Sequence, residues 1–261
     1  MFNTHNSPAL FPGGVGLTHL RVYESASPDG LHGGSPHLHF ACTECYYAVG
    51  GRGRVQTLSS DGFREFPLEA GGVVWFSPGV IHRLVNEEEL EILVVMGNGG
   101  LPEAGDFVLT MPPALLADSK GYFDAASLSP HGEVFTSSEA AAHRRRDLAV
   151  EGFAELRADF EARGEAALQE FYEVAARLVA PKIAQWQTVW EKGPLVAAQS
   201  TGEQLRALQQ GDVSHLLQGS AHAMSAPGED RKWGMCGTLG TYLPEGVTVA
   251  QRSSGINKEA K

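Results

Sequence analysis

The sequence predicts a mainly β protein, in which a jelly-roll barrel is followed by an α-helical region. Between residues 17 and 113, short β-rich runs alternate with turn residues, a pattern typical of an antiparallel barrel or jelly roll. Asp61-Gly62 carries the signal of a tight hairpin inside this stretch. Beyond residue 138, apolar residues recur at helical spacing instead. The change of period marks where the β fold ends.

The chain divides into five predicted segments. They are an N-terminal arm at 1–16, the barrel at 17–113, a linker or wrapping segment at 114–137, a helical region at 138–218, and a C-terminal tail at 219–261 that could add an edge strand.

Three helices are expected in the helical region. Ser137-Ser138-Glu139 predicts the start of the first helix, with serine as its cap, and Gly164 ends it. A second helix follows, with Pro181 as a kink. A third, shorter helix is predicted at 204–217.

Composition argues against several classes of partner. The net charge of −11 would repel the phosphates of a nucleic acid, and no apolar run approaches the ~20 residues that span a bilayer. The first residues lack the basic start and apolar stretch of a signal peptide, so we expect a cytoplasmic protein. We expect a small-molecule substrate or ligand and a homodimer, with neither nucleic acid nor membrane as partner. The basic run Arg144-Arg145-Arg146 is assigned to a solvated helix face.

Four residues have the chemistry and spacing of a metal site. His37 and His39 are two residues apart, so on a β-strand they project from the same side. Glu44 follows shortly after, and His82 comes after a Ser-Pro-Gly turn. Neutral imidazoles with one carboxylate are a ligand set that borderline divalent metals prefer. The four together predict a metal site inside the barrel.

The same residues carry a resemblance to a known family. His37, His39, Glu44 and Gly51 read as His-x-His-x4-Glu-x6-Gly, which resembles the first motif of the cupin superfamily. After a gap at 52–71, a second run resembles the second motif of that family, through Gly72, Pro78, Gly79, His82 and Asn86.

The resemblance implies a cupin double-stranded β-helix with an added C-terminal helical region. It also implies one divalent transition metal held by the three histidines and the glutamate. Zinc, manganese, iron, nickel and cobalt are all compatible with this ligand set. Such a set leaves one or two coordination positions open, as a catalytic metal requires.

Three functional interpretations follow. The first is a sugar isomerase- or epimerase-like enzyme acting on a small polar metabolite, with the metal as Lewis acid and Tyr46 as the candidate catalytic side chain. The second is an iron- or nickel-dependent dioxygenase of a small organic substrate, with an apolar pocket lined by Tyr46, Phe40, Trp75 or Met96. The third is a non-catalytic sensor, in which the barrel binds a small ligand and the helices signal to a partner.

The cysteines allow a competing interpretation. Cys42-x-x-Cys45 brackets Glu44 and has the spacing of half a zinc site or of a redox pair. The second cysteine pair that a four-thiolate site needs is absent from the sequence, where only Cys236 remains. We interpret both as small apolar residues that pack around the metal-binding strand.

Overall fold

The computed structural model describes residues 10–128 and 138–243. Most of the predicted N-terminal arm, part of the linker with Ser137, and the end of the C-terminal tail lie outside the described residues. The strands are β1 (Gly16–Val22), β2 (His37–Leu38), β3 (Glu44–Ser59), β4 (Gly62–Glu69), β5 (Val73–Phe76), β6 (Ile81–Met96), β7 (Val108–Leu109), β8 (Lys232–Trp233) and β9 (Gly237–Tyr242). The helices are α1 (Pro113–Ala117), α2 (Ser119–Ala126), α3 (Glu139–Arg163), α4 (Glu165–Val179), α5 (Ile183–Lys192) and α6 (Pro194–Gln209).

The nine described strands form one antiparallel sheet in which β3 and β6 are the central pair. The main order is β4-β3-β6-β1-β9-β8, with β5 on β3, β2 on β6 and β7 on β2. The two central strands pair along their whole length, from Glu44 opposite Met96 to Leu58 opposite Ile81. One end of this pair is flanked by β5 and β1, and the other end by β4 and β2. Two half-sheets therefore share the same long strands.

The half-sheets bend over one another at an irregularity in the middle of the central pair. The register between β3 and β6 shifts three times between Ala48 and Gly53. Gly51 has φ +71°, and a Cβ at this residue would lie 2.2 Å from two carbonyl oxygens of β6. A side chain is therefore excluded where the chain bulges, since bulges increase local bend and twist. The bend turns the inner faces of the half-sheets toward each other.

The expected fold class, an antiparallel jelly-roll fold followed by helices, is confirmed, with one difference. Among the described residues, no strand pairing joins β4 to β8, so the sheet is an open sandwich and not a closed barrel. Strands β8 and β9 extend it beyond β1, where Leu17 lies opposite Tyr242.

The helices pack against the sheet and share its hydrophobic core. Phe153 of α3 and the α4 residues Leu168, Phe171 and Leu178 belong to the same buried cluster as Ile92 of β6. In the described part of the chain, no helix is both long and apolar enough to cross a membrane.

Helix boundaries follow from caps and breakers. The Ser138 side chain accepts a hydrogen bond from Ala141 N and caps α3, while Gly164, at φ +64°, follows its end. The 3₁₀ turn Ala180–Lys182 separates α4 from α5 around Pro181. The boundaries expected for the third helix, 204–217, are wrong. Helix α6 already begins at Pro194, a residue preferred in the first helical turn.

The assignment of the basic run to a solvated face is wrong for two of its three residues. Arg145 and Arg146 are 4% and 1% exposed, whereas Arg144 is exposed. Arg146 donates to the carbonyl oxygens of Ser25 and Ala26 at 2.9 and 2.8 Å. Backbone carbonyls replace the water that the guanidinium would lose, which makes its burial tolerable.

We predict that Gly51→Ala destabilises the fold by about 1–3 kcal/mol or more, because the alanine would need a strained backbone and its Cβ would overlap carbonyl oxygens. The matched control is Gly50→Ala, since nothing lies within 4 Å of a Cβ at that residue. Urea denaturation of both variants measures the difference. Equal midpoints for the two would show that the bulge does not need a glycine at residue 51.

Candidate metal centre

The structure brings His37, His39, Glu44 and His82 together. One possible ligand atom from each lies within 4.8 Å of all the others. Nε2 of His82 is 3.1 Å from Nε2 of His37 and 3.0 Å from Oε2 of Glu44, which in turn is 3.5 Å from Nε2 of His39. The four side chains are between 0% and 6% exposed. They form a single buried cluster, which we call the His3Glu cluster.

Each half-sheet contributes to this cluster. His37 of β2 lies directly opposite His82 of β6, so both project from the same face of one half-sheet. Glu44 begins β3 in the other half-sheet, opposite Phe76 and Met96, and points inward. His39 lies just after β2 ends. The bend between the half-sheets is what brings the carboxylate to the imidazoles.

Hydrogen bonds fix the tautomer of all three histidines. Nδ1 of His37 lies 2.8 Å from the Ser35 carbonyl oxygen, and Nδ1 of His82 lies 3.0 Å from that of Val80. Nδ1 of His39 contacts the carbonyl oxygen of Asp106. A carbonyl oxygen can only accept, so each Nδ1 carries the proton. In the neutral rings, all three Nε2 atoms then present lone pairs to the cluster.

Burial keeps these rings neutral. It lowers the pKa of His82 to about 4 and the pKa of His37 well below its usual value, with the neighbouring imidazoles adding to the latter effect. Burial is also the main cause that lowers the pKa of His39. The charged form of an imidazole is disfavoured where water cannot solvate it. At neutral pH the rings are therefore ready to act as ligands.

This donor set fits a divalent transition metal. Glu44 Oε2 is buried and accepts no hydrogen bond within the described structure. His82 Nε2, although only 3.0 Å away, has no proton to donate to it in the tautomer given above. Three nitrogen lone pairs and a carboxylate oxygen thus converge, and none of the four residues supplies a positive charge. Oriented Nδ1–H donors to carbonyls are the usual support of metal-binding histidines.

Asp106 supports the cluster and was missed by the sequence analysis. Its carbonyl oxygen accepts from His39, while its fully buried carboxylate accepts from the backbone N–H groups of Phe40 and Ala41, at 2.9 Å and 3.2–3.3 Å. Asp106 therefore fixes both the ring of His39 and the turn that follows it. A single aspartate more than 60 residues away carries no spacing signal, so nothing in the sequence pointed to it.

The C-terminal segment supports His37 in a similar way. Ser35, whose carbonyl orients His37, donates from its N–H and its hydroxyl to the carbonyl oxygen of Met235, at 3.0 and 2.7 Å. The neighbouring Cys236 is buried, and burial, with the nearby Glu44 carboxylate as a further cause, raises the pKa of its thiol to about 12. The thiol therefore remains protonated near the cluster at neutral pH.

The helices hold the loops that carry the ligands. Tyr172 of α4 donates to the carbonyl oxygen of Gly79 at 2.9 Å, in the turn before His82. Trp186 of α5 donates to the carbonyl oxygen of Ala104 at 3.1 Å, two residues before Asp106. These contacts link the helical region directly to the geometry of the His3Glu cluster.

Tyr46 lies beside the cluster, on the same inward face of β3 as Glu44. It is 1% exposed, and its ring centroid is 6.2 Å from that of His82. Burial, followed by the Glu44 charge, raises the pKa of its hydroxyl well above the usual value. The ring of Phe76 lies 4.1 Å from that of His82 and completes an aromatic wall.

The other pocket-lining residues suggested by the sequence divide between the two faces of the sheet. Met96 is buried on the inner face, opposite Glu44. The placement of Trp75 in the pocket is wrong, because it is 73% exposed and lies opposite Cys45 on the outer face. Phe40 is half-buried against Trp186, with ring centroids 6.2 Å apart.

The cysteines Cys42 and Cys45 stand apart from the His3Glu cluster. Both are free thiols; Cys42 is buried, while Cys45 is half-exposed on the outer face of β3. Neither belongs to the group of residues that could hold a metal.

We predict that His82→Ala or His37→Ala abolishes metal binding and leaves the sandwich folded, because the hydrophobic core does not depend on one ion. The matched control is His143→Ala, which removes a half-buried imidazole on α3, bonded to Ser25. Metal content per chain and the thermal shift on metal addition provide the readouts. Full metal occupancy in both variants of the cluster would overturn the ligand assignment.

We also predict that Asp106→Ala weakens metal binding by about 10- to 100-fold, as expected when a group that supports a ligand is removed. The carbonyl of residue 106 remains in this variant, but the carboxylate that fixes the turn after His39 is lost. Competition with a chelator measures the affinity. Asp118→Ala, at a helix cap away from the cluster, is the control, and equal affinities in the two variants would contradict the proposed role.

Comparison with known proteins covers the β part of the chain. Residues 25–96 match the family model of the cupin domain. No curated protein sequence is similar enough to count as a match.

Similar solved structures include the oxalate decarboxylase of Bacillus subtilis, at 22% identity over 42% of this chain and 27% of that one, with a TM-score of 0.34. They also include the TDP-fucose-3,4-ketoisomerase of Campylobacter jejuni, at 11% identity over 31% and 57% of the two chains, with a TM-score of 0.26. A cupin protein of Bacteroides fragilis matches at 15% identity over 37% and 80%, with a TM-score of 0.24.

The chain spans well under two thirds of the length of the decarboxylase and less than two thirds of the ketoisomerase. The matched range includes all four residues of the His3Glu cluster. Residues 25–96 therefore form a cupin domain.

Proposed function

We propose that this chain is a metal-dependent enzyme that isomerises or epimerises a small polar metabolite of the sugar type. The observation that carries the proposal is the convergence of three Nε2 lone pairs and one carboxylate oxygen in a buried site. These residues would hold one divalent metal. When bound, the metal would act as a Lewis acid that polarises a carbonyl or hydroxyl oxygen of the substrate.

Tyr46 is the side chain proposed to handle the proton. It is two residues from Glu44 on the same strand face, so its hydroxyl and the carboxylate point into the same space. Because its raised pKa keeps the Tyr46 hydroxyl protonated, the hydroxyl can donate a hydrogen bond to a substrate oxygen and can give that oxygen a proton as it gains negative charge. Phe76 and Met96 surround this space with apolar surface, which excludes water from the reacting atoms.

The role of the helices favours an enzyme over a sensor. In the sensor interpretation the helical region is a separable module that signals to a partner. In the structure, α3 and α4 contribute to the same core as the sheet, and Tyr172 and Trp186 bond to the loops around the ligands. Such contacts support a role in holding the site rigid, as catalytic geometry requires.

The aromatic wall beside His82 favours one alternative, an iron- or nickel-dependent dioxygenase of a small organic substrate. Phe76 and Tyr46 have their ring centroids 5.3 Å apart in an edge-to-face arrangement. An apolar aromatic substrate would pack against such a surface. In a dioxygenase, Tyr46 would have a smaller role in proton transfer, because a redox metal carries the difficult steps of the reaction.

Two measurements separate these reactions. Elemental analysis of protein purified without added metal is the first, because zinc or manganese favours isomerisation and iron favours oxygenation. The second is a pair of assays on the same sample: solvent proton exchange into a panel of aldoses and ketoses, and oxygen uptake with candidate phenolics. Exchange without uptake supports the proposal. Uptake without exchange would replace it with the dioxygenase.

We predict that Tyr46→Phe lowers proton exchange by about 10²-fold or more while the metal content stays unchanged, because the variant loses only the hydroxyl. Tyr47→Phe is the matched control, since Tyr47 is the next residue on β3 and its side chain lies on the opposite, outer face. Exchange rates at saturating substrate, with metal content measured in parallel, provide the test. Undiminished exchange in Tyr46→Phe would remove Tyr46 from the mechanism.

A further inference from the structure

We propose that the outer face of the half-sheet β5-β3-β6-β1-β9 is the contact surface for a second copy of this chain. The surface, called the outer patch below, consists of two rows of side chains that run across the strands. The first row is Trp75, Cys45, Val95, Leu17 and Tyr242. The second row is Val73, Tyr47 and Leu93, and it ends at His19 of β1.

Strand register places these residues on one face. Cys45 lies opposite both Trp75 and Val95, and Leu17 lies opposite both Val95 and Tyr242. Residues directly opposite in an antiparallel pair share a face, so the first row is continuous across five strands. All five of its side chains are apolar or aromatic.

The outer patch is most exposed where it crosses β5 and β3, whereas Leu17, Leu93, Val95 and Tyr242 are half-buried. Trp75 is 73% exposed, and Val73 and Tyr47 are 48% and 41% exposed. Val49, the next outward residue of β3, is 45% exposed. Large exposed apolar surfaces on a folded domain mark sites of interaction, and tryptophan is among the residues that contribute most to protein interfaces.

The size of the outer patch suits the core of a dimer interface. The first row crosses five strands and the second crosses three, because Pro227 covers the Gly240 position on β9 and His19 occupies the one on β1. With strands about 4.8 Å apart and rows about 6.7 Å apart, these eight positions give an area of about 260 Å². A stable interface buries about 800 Å² per partner, with an apolar centre and a polar rim. The outer patch is large enough for that centre, and the rim would come from the residues around it.

Charged groups begin at the β1 end of the second row. His19 lies opposite Leu93 in that row, and its ring nitrogens lie 2.9 Å from the Glu91 carboxylate and 3.0 Å from the Arg231 guanidinium. One row further along the strands, Arg21 lies opposite Glu91, and their side chains form a 3.0 Å ion pair. Arg21 also pairs with Glu229 at 3.0 Å. These charges satisfy one another within the chain, so this edge of the patch does not require an oppositely charged partner.

A second copy is the occupant that these features favour. An uncharged face is where two chains of net charge −11 can approach with least repulsion. An antiparallel sheet face can also pack on an identical face, as in sheet-on-sheet packing, and a two-fold axis makes the same patch serve both partners.

The test compares the oligomeric state of the full chain and two variants by sedimentation velocity over a range of concentrations. We expect a wild-type dimer, and a monomer for Trp75→Glu. The matched control is Leu217→Glu, which adds the same charge at a side chain that is 92% exposed near the end of the helical region. This control should remain dimeric. Circular dichroism and metal content establish that both variants are folded.

A second readout reports on the patch itself. Cys45 is the half-exposed thiol of the three and lies in the middle of the first row. In the wild type its alkylation should slow as the protein concentration rises, and at high concentration it should be at least about tenfold slower than in Trp75→Glu, because protection follows the dimer fraction.

Each other outcome would overturn the proposal. A wild type that is monomeric at all concentrations, or a Trp75→Glu variant that stays dimeric, would remove the outer patch as an interface. Loss of the dimer in Leu217→Glu alone would place the interface at the helices. Slow alkylation of Cys45 in a monomer would mean that the same chain covers the patch. None of these results depends on the reaction proposed for the His3Glu cluster.

Discussion

The candidate site depends on three hydrogen bonds from histidine Nδ1 atoms to backbone carbonyl oxygens. Each bond fixes a tautomer and aims a lone pair at the same buried space, where the Glu44 carboxylate also points. Without a cation, four electron-rich atoms within 4.8 Å repel one another, and their side chains are buried away from bulk solvent. The sheet and its supporting loops hold this unfavourable arrangement in place. A divalent metal converts the same arrangement into a favourable one, so the ligands need not reorganise to bind it.

The rest of the molecule supplies that support. The glycine-dependent bend in β3 brings Glu44 over the histidines of the other half-sheet. Asp106, Ser35 and the helix residues Tyr172 and Trp186 then fix the loops on which the ligands lie. The helical region and the C-terminal strands therefore help to hold the site in its geometry, although none of their side chains is among the four that converge.

Sequence reasoning identified what local spacing encodes. Strand periodicity placed His37 and His39 on one face, and the caps of α3 followed from a serine and a glycine. Predictions from sequence were wrong or missing where tertiary contacts determine burial and hydrogen-bond partners. Nothing local shows that Arg145 finds carbonyl partners and is buried, or that Asp106 orients His39 from more than 60 residues away. The open edges of the sheet depend on long-range pairing, which alternating patterns cannot specify.

The side chains of strand β3 alternate between the candidate site and the proposed dimer interface. Its inward residues, Glu44 and Tyr46, contribute to the candidate site, while its outward residues, Cys45 and Tyr47, contribute to the outer patch. A partner packed on the outer face would restrain the same backbone that positions the carboxylate, because successive side chains share one pleated strand. A metal centre requires its ligands to be held to within a fraction of an ångström. A partner that buries the outer face would therefore stabilise the ligand geometry on the inner face, although it contributes no residue to the site.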